Sequence, residues 1–142
     1  MSMSAGLIWP ERLDPDCDDE LEPPGFNHAY DWAQWLMNLP SDADIGLEDV
    51  GCGALNAIYT DGMETDEVSW VSPADLLATA DRLADLILAG GSDALSLLAA
   101  YQDYSKTGTP VAQLVLSDLE VVRKMARWAQ EHGKSRLAFE IG

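Results

Sequence analysis

The sequence predicts an α+β fold, a single domain in which a small mixed or antiparallel sheet, made of a hairpin and C-terminal strands, packs against about four helices. Three observations predict it. Residues 72–89 have the pattern of an amphipathic helix, residues 54–71 that of a β-hairpin, and residues 117–141 that of a helix followed by a strand. The length of 142 residues makes one domain the default expectation.

Residues 1–25 are predicted to form an irregular acidic arm ahead of a domain that spans residues 26–142. Four prolines interrupt helix formation in the arm, and its many carboxylates repel one another. Leu7, Ile8 and Trp9 leave three alternatives open: a short strand, a hydrophobic latch onto the domain, or a partly disordered terminus. The arm has neither the basic start nor the long apolar run of a signal peptide.

The next segments predict a helix and a hairpin. Residues 27–39 place apolar side chains, among them Trp32, Leu36 and Met37, on one helical face, and Pro40 is expected to end the helix. Residues 41–49 are predicted to be a loop or a short helical turn. Residues 54–59 and 67–71 are rich in strand-forming side chains and flank the turn signal Asp61-Gly62, which predicts an antiparallel hairpin with a loop at 60–66.

Residues 72–89 give the clearest helix signal of the chain. Ser72 is a helix cap, Pro73 suits the first helical position, and Gly90 suits the left-handed residue that ends a helix. Seven apolar side chains recur between these limits at three- and four-residue steps, so one broad face is expected to be buried. A second helix is predicted at residues 93–104, capped by Ser92 and antiparallel to the first across the short glycine joint.

The C-terminal third predicts strand, helix and strand. Residues 111–116 are apolar and predict a strand, with the first turn of the following helix as the alternative. Ser117 and Glu120 have the spacing of a capping box, which places the start of a helix there and its end near residue 132. Residues 136–141 predict a last strand, and the two strands with their helix suggest a parallel crossover.

The charge is the most unusual property of the chain. It has 25 acidic and 8 basic residues, a formal net charge of −17. Sixteen of the acids but only one base, Arg12, lie in residues 1–70, so the negative field belongs to the N-terminal half. Such a field repels nucleic acid and anionic membranes and speeds encounter with basic partners. It also promotes solubility with no partner at all, which is the simpler explanation of an acidic surplus.

Known catalytic and metal-binding patterns are missing from the sequence. Cys17 and Cys52 are too far apart for a zinc or redox motif, and there is no phosphate-binding loop or nucleophile elbow. Asp14, Asp16 and Asp18 have the spacing that opens a calcium loop, but the glycine and the glutamate that complete it are absent. We therefore expect no metal, no cofactor and no enzymatic activity. Without a membrane-spanning run or a leader, a cytoplasmic protein is the simplest expectation.

The leading functional hypothesis is an acidic module that binds a basic protein and neutralises or regulates it. Aromatic residues of the same half (Trp9, Trp32, Trp35, Tyr59 and Trp70) are candidate anchors, because interfaces take energy from aromatic side chains and association rate from charge. The predicted partner-binding residues are Glu48, Asp49, Asp61, Glu64, Asp66, Glu67 and Trp70. The bases near the C-terminus, which include Arg123 and Lys134, are expected to hold the acidic half within the chain.

This composition resembles that of immunity proteins, small acidic inhibitors of toxins. The likeness is one of composition, since these proteins span unrelated folds and no motif carries it. It implies a basic toxin domain as the partner, and neither nucleic acid nor membrane. Two alternatives remain: a small enzyme or ligand-binding domain assembled from distant residues such as His28 and Cys52, and a nucleic-acid mimic whose carboxylates stand in for phosphates.

Overall fold

The computed structural model describes residues 5–14, 16, 21–26 and 28–142. Within these residues the chain forms four α-helices and a three-stranded mixed sheet, so the predicted α+β class is confirmed. The elements, in chain order, are β1 (Ala5–Ile8), α1 (Ala29–Asp42), β2 (Ile58–Tyr59), α2 (Pro73–Ala89), α3 (Ser92–Ala99), α4 (Val111–Glu131) and β3 (Ala138–Ile141). Short 3-10 helices occupy Pro10–Leu13, Leu47–Val50, Gly53–Asn56 and Thr65–Glu67.

The sheet has the order β1-β3-β2, with the strand that comes last in sequence at its centre. β1 pairs antiparallel to β3, with Leu7 opposite Phe139. β2 pairs parallel to β3, with Tyr59 opposite Glu140. The strand alternative for Leu7 and Ile8 is therefore correct, and the first strand belongs to the same sheet as the last. The domain boundary at residues 25 and 26 stays a prediction.

The predicted hairpin is wrong. Residues 53–56 form a 3-10 helix, which leaves only Ile58–Tyr59 as a strand, and that strand pairs with β3. Residues 67–71 contribute a single antiparallel bridge, between Val71 and Leu137. The turn signal at Asp61-Gly62 is real, because Gly62 has φ +92°, but the chain that follows it does not return alongside β2.

α2 matches its prediction closely. The Ser72 hydroxyl accepts a hydrogen bond from the Asp75 amide at 3.1 Å, Pro73 is the first helical residue, and Gly90 adopts φ +70° at the end. Its apolar face packs chiefly against α4. α3 is shorter than predicted and ends at Ala99. Beyond it, the Tyr101 side chain bonds to α4 and the Ser105 amide bonds to α1.

α4 begins at Val111, six residues before Ser117, the first residue of the predicted capping box. It starts directly after Pro110, so residues 111–116 are helical and the strand predicted there is wrong, together with the parallel crossover. Ser117 and Glu120 lie inside the helix. Leu114, Leu119 and Val122 face the core, because the inward stripe of apolar residues continues unbroken across the supposed boundary.

The core is built around aromatic residues of α1. Trp32 and Trp35 are 0% and 1% exposed, and Trp32 lies edge-on to Phe139 of β3 with ring centroids 5.9 Å apart. α1 passes through Pro40 and ends at Asp42, so proline occupies its last turn and does not stop it. Met37, predicted to face inward, is 44% exposed.

Candidate functional site

The residues after β2 display four of the predicted carboxylates. Asp61, Glu64, Asp66 and Glu67 are all exposed, on a segment that turns at Gly62 and closes in the 3-10 helix Thr65–Glu67. The Thr60 amide contacts the sulfur of Met63 at 3.2 Å. Four acidic side chains within seven residues thus share one surface segment, which we call the acidic turn (residues 61–67).

The acidic turn is anchored at its far end. Val68 is buried in a small cluster with Ile8 of β1 and Ala138 of β3, and Trp70 packs against this cluster. The Trp70 indole N–H donates to the Thr65 carbonyl at 2.9 Å. Since this bond uses the only polar group of the indole, Trp70 serves first as a support for the acidic turn.

Glu48 and Asp49 lie on a different support, the 3-10 helix Leu47–Val50. The Asp49 carboxylate accepts from the Gly46 amide at 2.8 Å, and Glu48 accepts from the Asn56 side chain at 2.8 Å. Arg82 of α2 donates to the Gly51 carbonyl at 3.1 Å and so holds the end of this helix. Both carboxylates are exposed and oriented by neutral donors.

Within the described residues, no Lys, Arg or His forms an ion pair with any of the six predicted carboxylates. No hydrogen bond there joins Glu48 and Asp49 to the acidic turn. The structure therefore gives two separately supported acidic groups. Unpaired surface carboxylates of this kind retain their full attraction for an incoming cation.

An open cleft of about 280 Å³ adjoins the acidic turn. It lies beyond the carboxyl ends of β2 and β3 and is lined by Tyr59, Asp61, Glu140, Ile141 and Gly142. Glu140 was not among the predicted site residues. The parallel pairing of β2 with β3 places Glu140 opposite Tyr59. The prediction had instead paired residues 54–59 with residues 67–71, so it did not bring Glu140 close to Tyr59. Two carboxylates and a half-buried tyrosine ring are suited to a Lys or Arg side chain.

Three of the five proposed aromatic anchors are not available to a partner. Trp9, Trp32 and Trp35 are at most 1% exposed, so the prediction that they contact a partner is wrong. Their clustering in the N-terminal half reflects the core of the fold. Tyr59 and Trp70 remain half-buried at the surface, beside the acidic turn.

Arg123, one of the bases near the C-terminus, forms its ion pairs outside the acidic half of the chain. Arg123 pairs with Asp81 at 2.6 Å and with Glu120, and neither acid belongs to the first seventy residues. Lys134 lies over the ring of Trp9 at 4.8 Å, and Arg12 lies over the same ring at 5.0 Å. Both cations thus contact an aromatic ring of the N-terminal half.

Cys52 and His28, the residues suggested for an enzymatic site, lie in different surroundings. Cys52 is fully buried, and burial raises the pKa of its thiol although Arg82 opposes the shift, so the reactive thiolate is disfavoured. His28 lies at the start of α1 near Asp103, and no hydrogen bond joins it to Cys52 in the described part of the chain. His132 stacks on Trp128 at the end of α4 and bonds to its carbonyl.

The described residues of the incomplete calcium motif, Asp14 and Asp16, are joined by a local hydrogen bond. The Asp14 carboxylate accepts from the Asp16 amide at 2.9 Å, whereas Asp18 and also Cys17 lie outside the described residues. Across the described ranges, no three metal-ligating side chains converge. Nor does any helix in those ranges combine the length and the apolar character that crossing a bilayer requires.

Comparisons of the chain with protein-family models, with curated proteins and with solved structures give no match.

Proposed function

We propose that the protein is an acidic binding module that uses the acidic turn to engage a basic protein and to neutralise or regulate it, as a toxin inhibitor of the immunity-protein kind would. The supporting observation is the set of exposed carboxylates at 61, 64, 66 and 67, which are unpaired in the described structure and are supported by the buried Val68 and the half-buried Trp70. Fixed acceptors bind Lys and Arg at a lower entropic cost than mobile ones.

The cleft extends this surface. Asp61 belongs both to the acidic turn and to the lining of the cleft, where Tyr59 and Glu140 join it. A basic side chain of the partner fits there, between two carboxylates and an aromatic ring, while further basic residues meet Glu64, Asp66 and Glu67. Glu48 and Asp49 form a second, separate contact group in this proposal. The enzyme and nucleic-acid-mimic alternatives stay predictions, because no observation favours either over this one.

The test compares two variants of equal charge. The first neutralises the acidic turn with Asp61→Asn, Glu64→Gln, Asp66→Asn and Glu67→Gln. The control neutralises four exposed acids elsewhere, with Asp75→Asn, Asp85→Asn, Asp93→Asn and Glu131→Gln. Each variant has a formal net charge four units less negative than the −17 of the chain.

Affinity capture from the native cell at low salt, followed by association kinetics with each captured protein, distinguishes the outcomes. We expect a basic protein that the unmodified chain and the control both capture, and that associates at least about tenfold more slowly with the acidic-turn variant. Its association rate with the unmodified chain should fall as salt increases. Equal binding by both variants, or a rate that does not respond to salt, would contradict the proposal.

A further inference from the structure

Two carboxylates are buried beneath the segment that joins α3 to α4, which we call the 100–110 loop. Asp31 of α1 is 1% exposed and Asp118 of α4 is 4% exposed. Both lie on helix faces that are otherwise apolar. Carboxylates are seldom buried without a charged partner, because an ionised oxygen loses its hydration there. Within the described residues, neither of the two forms an ion pair with Lys, Arg or His.

The 100–110 loop supplies the polar contacts that these carboxylates do have. The Tyr101 hydroxyl donates to Oδ2 of Asp118 at 3.2 Å. The Ser105 amide donates to Oδ2 of Asp31 at 3.3 Å. Oδ1 of Asp31 is buried and has no hydrogen-bond partner among the described residues. The loop thus covers both acids but satisfies them only in part.

The loop is also bonded to itself. The Asp103 carboxylate accepts from the Thr107 amide at 3.1 Å, from the Thr107 hydroxyl at 3.0 Å and from the Gly108 amide at 3.1 Å. These bonds hold residues 103–108 together as a unit. Lys106, at the tip, is exposed and has φ +54°.

The electrostatic surroundings favour a neutral Asp118. The pKa of Asp118 is raised to about 7, chiefly by burial; the hydrogen bond from Tyr101 lowers it and the nearby charge of Asp31 raises it. Burial and Asp118 itself raise the pKa of the Tyr101 hydroxyl, so that it stays a donor. Asp103 has a lowered pKa, chiefly through its bond from the Thr107 amide, with a smaller contribution from His28. Asp31, Tyr101, Asp103 and His28 are the titratable groups that face this site from α1 and the loop.

We propose that Asp118 is a proton-binding site that controls the 100–110 loop: the neutral carboxyl keeps the loop docked, and ionisation beside the buried Asp31 favours a state in which the loop lifts and water reaches both acids. This control of the 100–110 loop depends neither on the acidic turn nor on a binding partner. In the lifted state Asp118 is solvated and returns towards its ordinary pKa. Docking is therefore strongest at acidic pH, weakens as the pH rises towards 7, and changes little above that.

Limited proteolysis measures the opening directly. Lys106 is the only Lys or Arg between Arg82 and Arg123, so trypsin cleavage there reports on the loop. The rate of cleavage is divided by that of a peptide with the sequence of residues 100–112 at the same pH, which removes the pH dependence of the protease. We expect the normalised rate to rise at least about tenfold from pH 5.5 to pH 7.5, with little change in cleavage at Arg82 and Arg123.

Three variants separate this mechanism from general effects of charge. Asp118→Asn keeps the shape and an acceptor for Tyr101, and it should abolish the pH dependence. Asp31→Asn should keep the dependence but move its upper limit to lower pH, because the like charge is gone. Asp85→Asn, an exposed acid of α2, removes the same charge and should leave the profile unchanged.

Carbon-13 NMR of the Asp118 carboxyl in the unmodified protein provides a measurement that needs no substitution. A titration midpoint near 7 is expected. A midpoint near 4, an undiminished pH dependence of cleavage in Asp118→Asn, or equal acceleration at Lys106, Arg82 and Arg123 would each overturn the proposal.

Discussion

At the scale of single residues, the interior of the protein contains buried polar groups. The Trp35 indole N–H donates to the Leu97 carbonyl at 3.0 Å inside the core, and Asp118 is buried on α4. Neither feature could be predicted from the sequence. Ser117 and Glu120 have the spacing of a capping box, whereas in the structure this stretch lies inside α4 and Asp118 is buried against Tyr101.

Replacing Trp35 by phenylalanine should cost about 1–3 kcal/mol, because the buried Leu97 carbonyl loses a donor and the smaller ring leaves space. Urea unfolding of the variant measures the loss. Trp70→Phe removes a comparable bond, to the Thr65 carbonyl, at a half-buried position and should cost less. A loss at Trp70 equal to that at Trp35 would contradict the role given to burial.

Asp118 should also make global stability depend on pH. Its pKa is about 7 in the folded protein and near 3.8 when unfolded, so the folded state binds the extra proton between these values. The free energy of unfolding should therefore fall as pH rises from about 4 to about 7, by at most about 1.4 kcal/mol per unit. Urea titrations of Asp118→Asn should lose this component, and Asp85→Asn should keep it. If the free energy of unfolding depended on pH in the same way in the unmodified protein and in Asp118→Asn, the pKa given to Asp118 would be contradicted.

At the scale of elements, the sequence predicted those whose signals are local. α2 has its cap, its proline and its terminal glycine in sequence, and it forms where expected. The alternative of a helical start for residues 111–116 was correct, because Pro110 can precede a first turn and α2 offers a long apolar surface to pack on. Strand-forming residue types alone could not decide between the two.

The strands were harder to predict, because a strand depends on its partner. Ile58 and Tyr59 pair with a strand about eighty residues away, and no local pattern indicates that choice. The same error affected the prediction of the candidate site. The carboxylates of the acidic turn were predicted from composition and are exposed, whereas Glu140 was missed because its neighbour across the sheet was unknown.

The turn that supports Glu48 and Asp49 allows a test of an element boundary. Gly51 has φ +76°, and a Cβ there would collide with Arg82 Nη1. Gly51→Ala should cost about 1–2 kcal/mol in left-handed strain and should also displace the Arg82 hydrogen bond. Gly62→Ala, at φ +92° with nothing nearby, is the control that carries only the backbone cost. Thermal unfolding of both variants compares the losses, and a larger one at Gly62 would refute the role of Arg82.

At the scale of the whole molecule, Trp9 joins the two ends of the described chain. Its ring is fully buried, meets Trp128 of α4 with ring centroids 5.3 Å apart, and is contacted by Arg12 and Lys134. The residue therefore fixes β1 and the following 3-10 helix against α4. Its surroundings come from segments more than a hundred residues apart, which explains why the sequence left its role open.

Trp9→Ala should destabilise the whole protein by about 3–5 kcal/mol, because it removes a large buried ring together with its cation–π contacts. Urea unfolding followed by circular dichroism should show one cooperative transition at lower denaturant. Lys134→Met, which keeps most of the apolar stem, should cost about 1 kcal/mol or less. If Trp9→Ala left α4 stable and released only the N-terminal segment, the segment would not be integral to the core.

The position of β3 has a consequence for biosynthesis. It is the central strand of the sheet, yet it follows every helix described here. Until residues 138–141 have been translated, β1 and β2 lack the strand with which both of them pair. We therefore expect the sheet to form only after the helices have been synthesised, when β3 becomes available to pair with both strands.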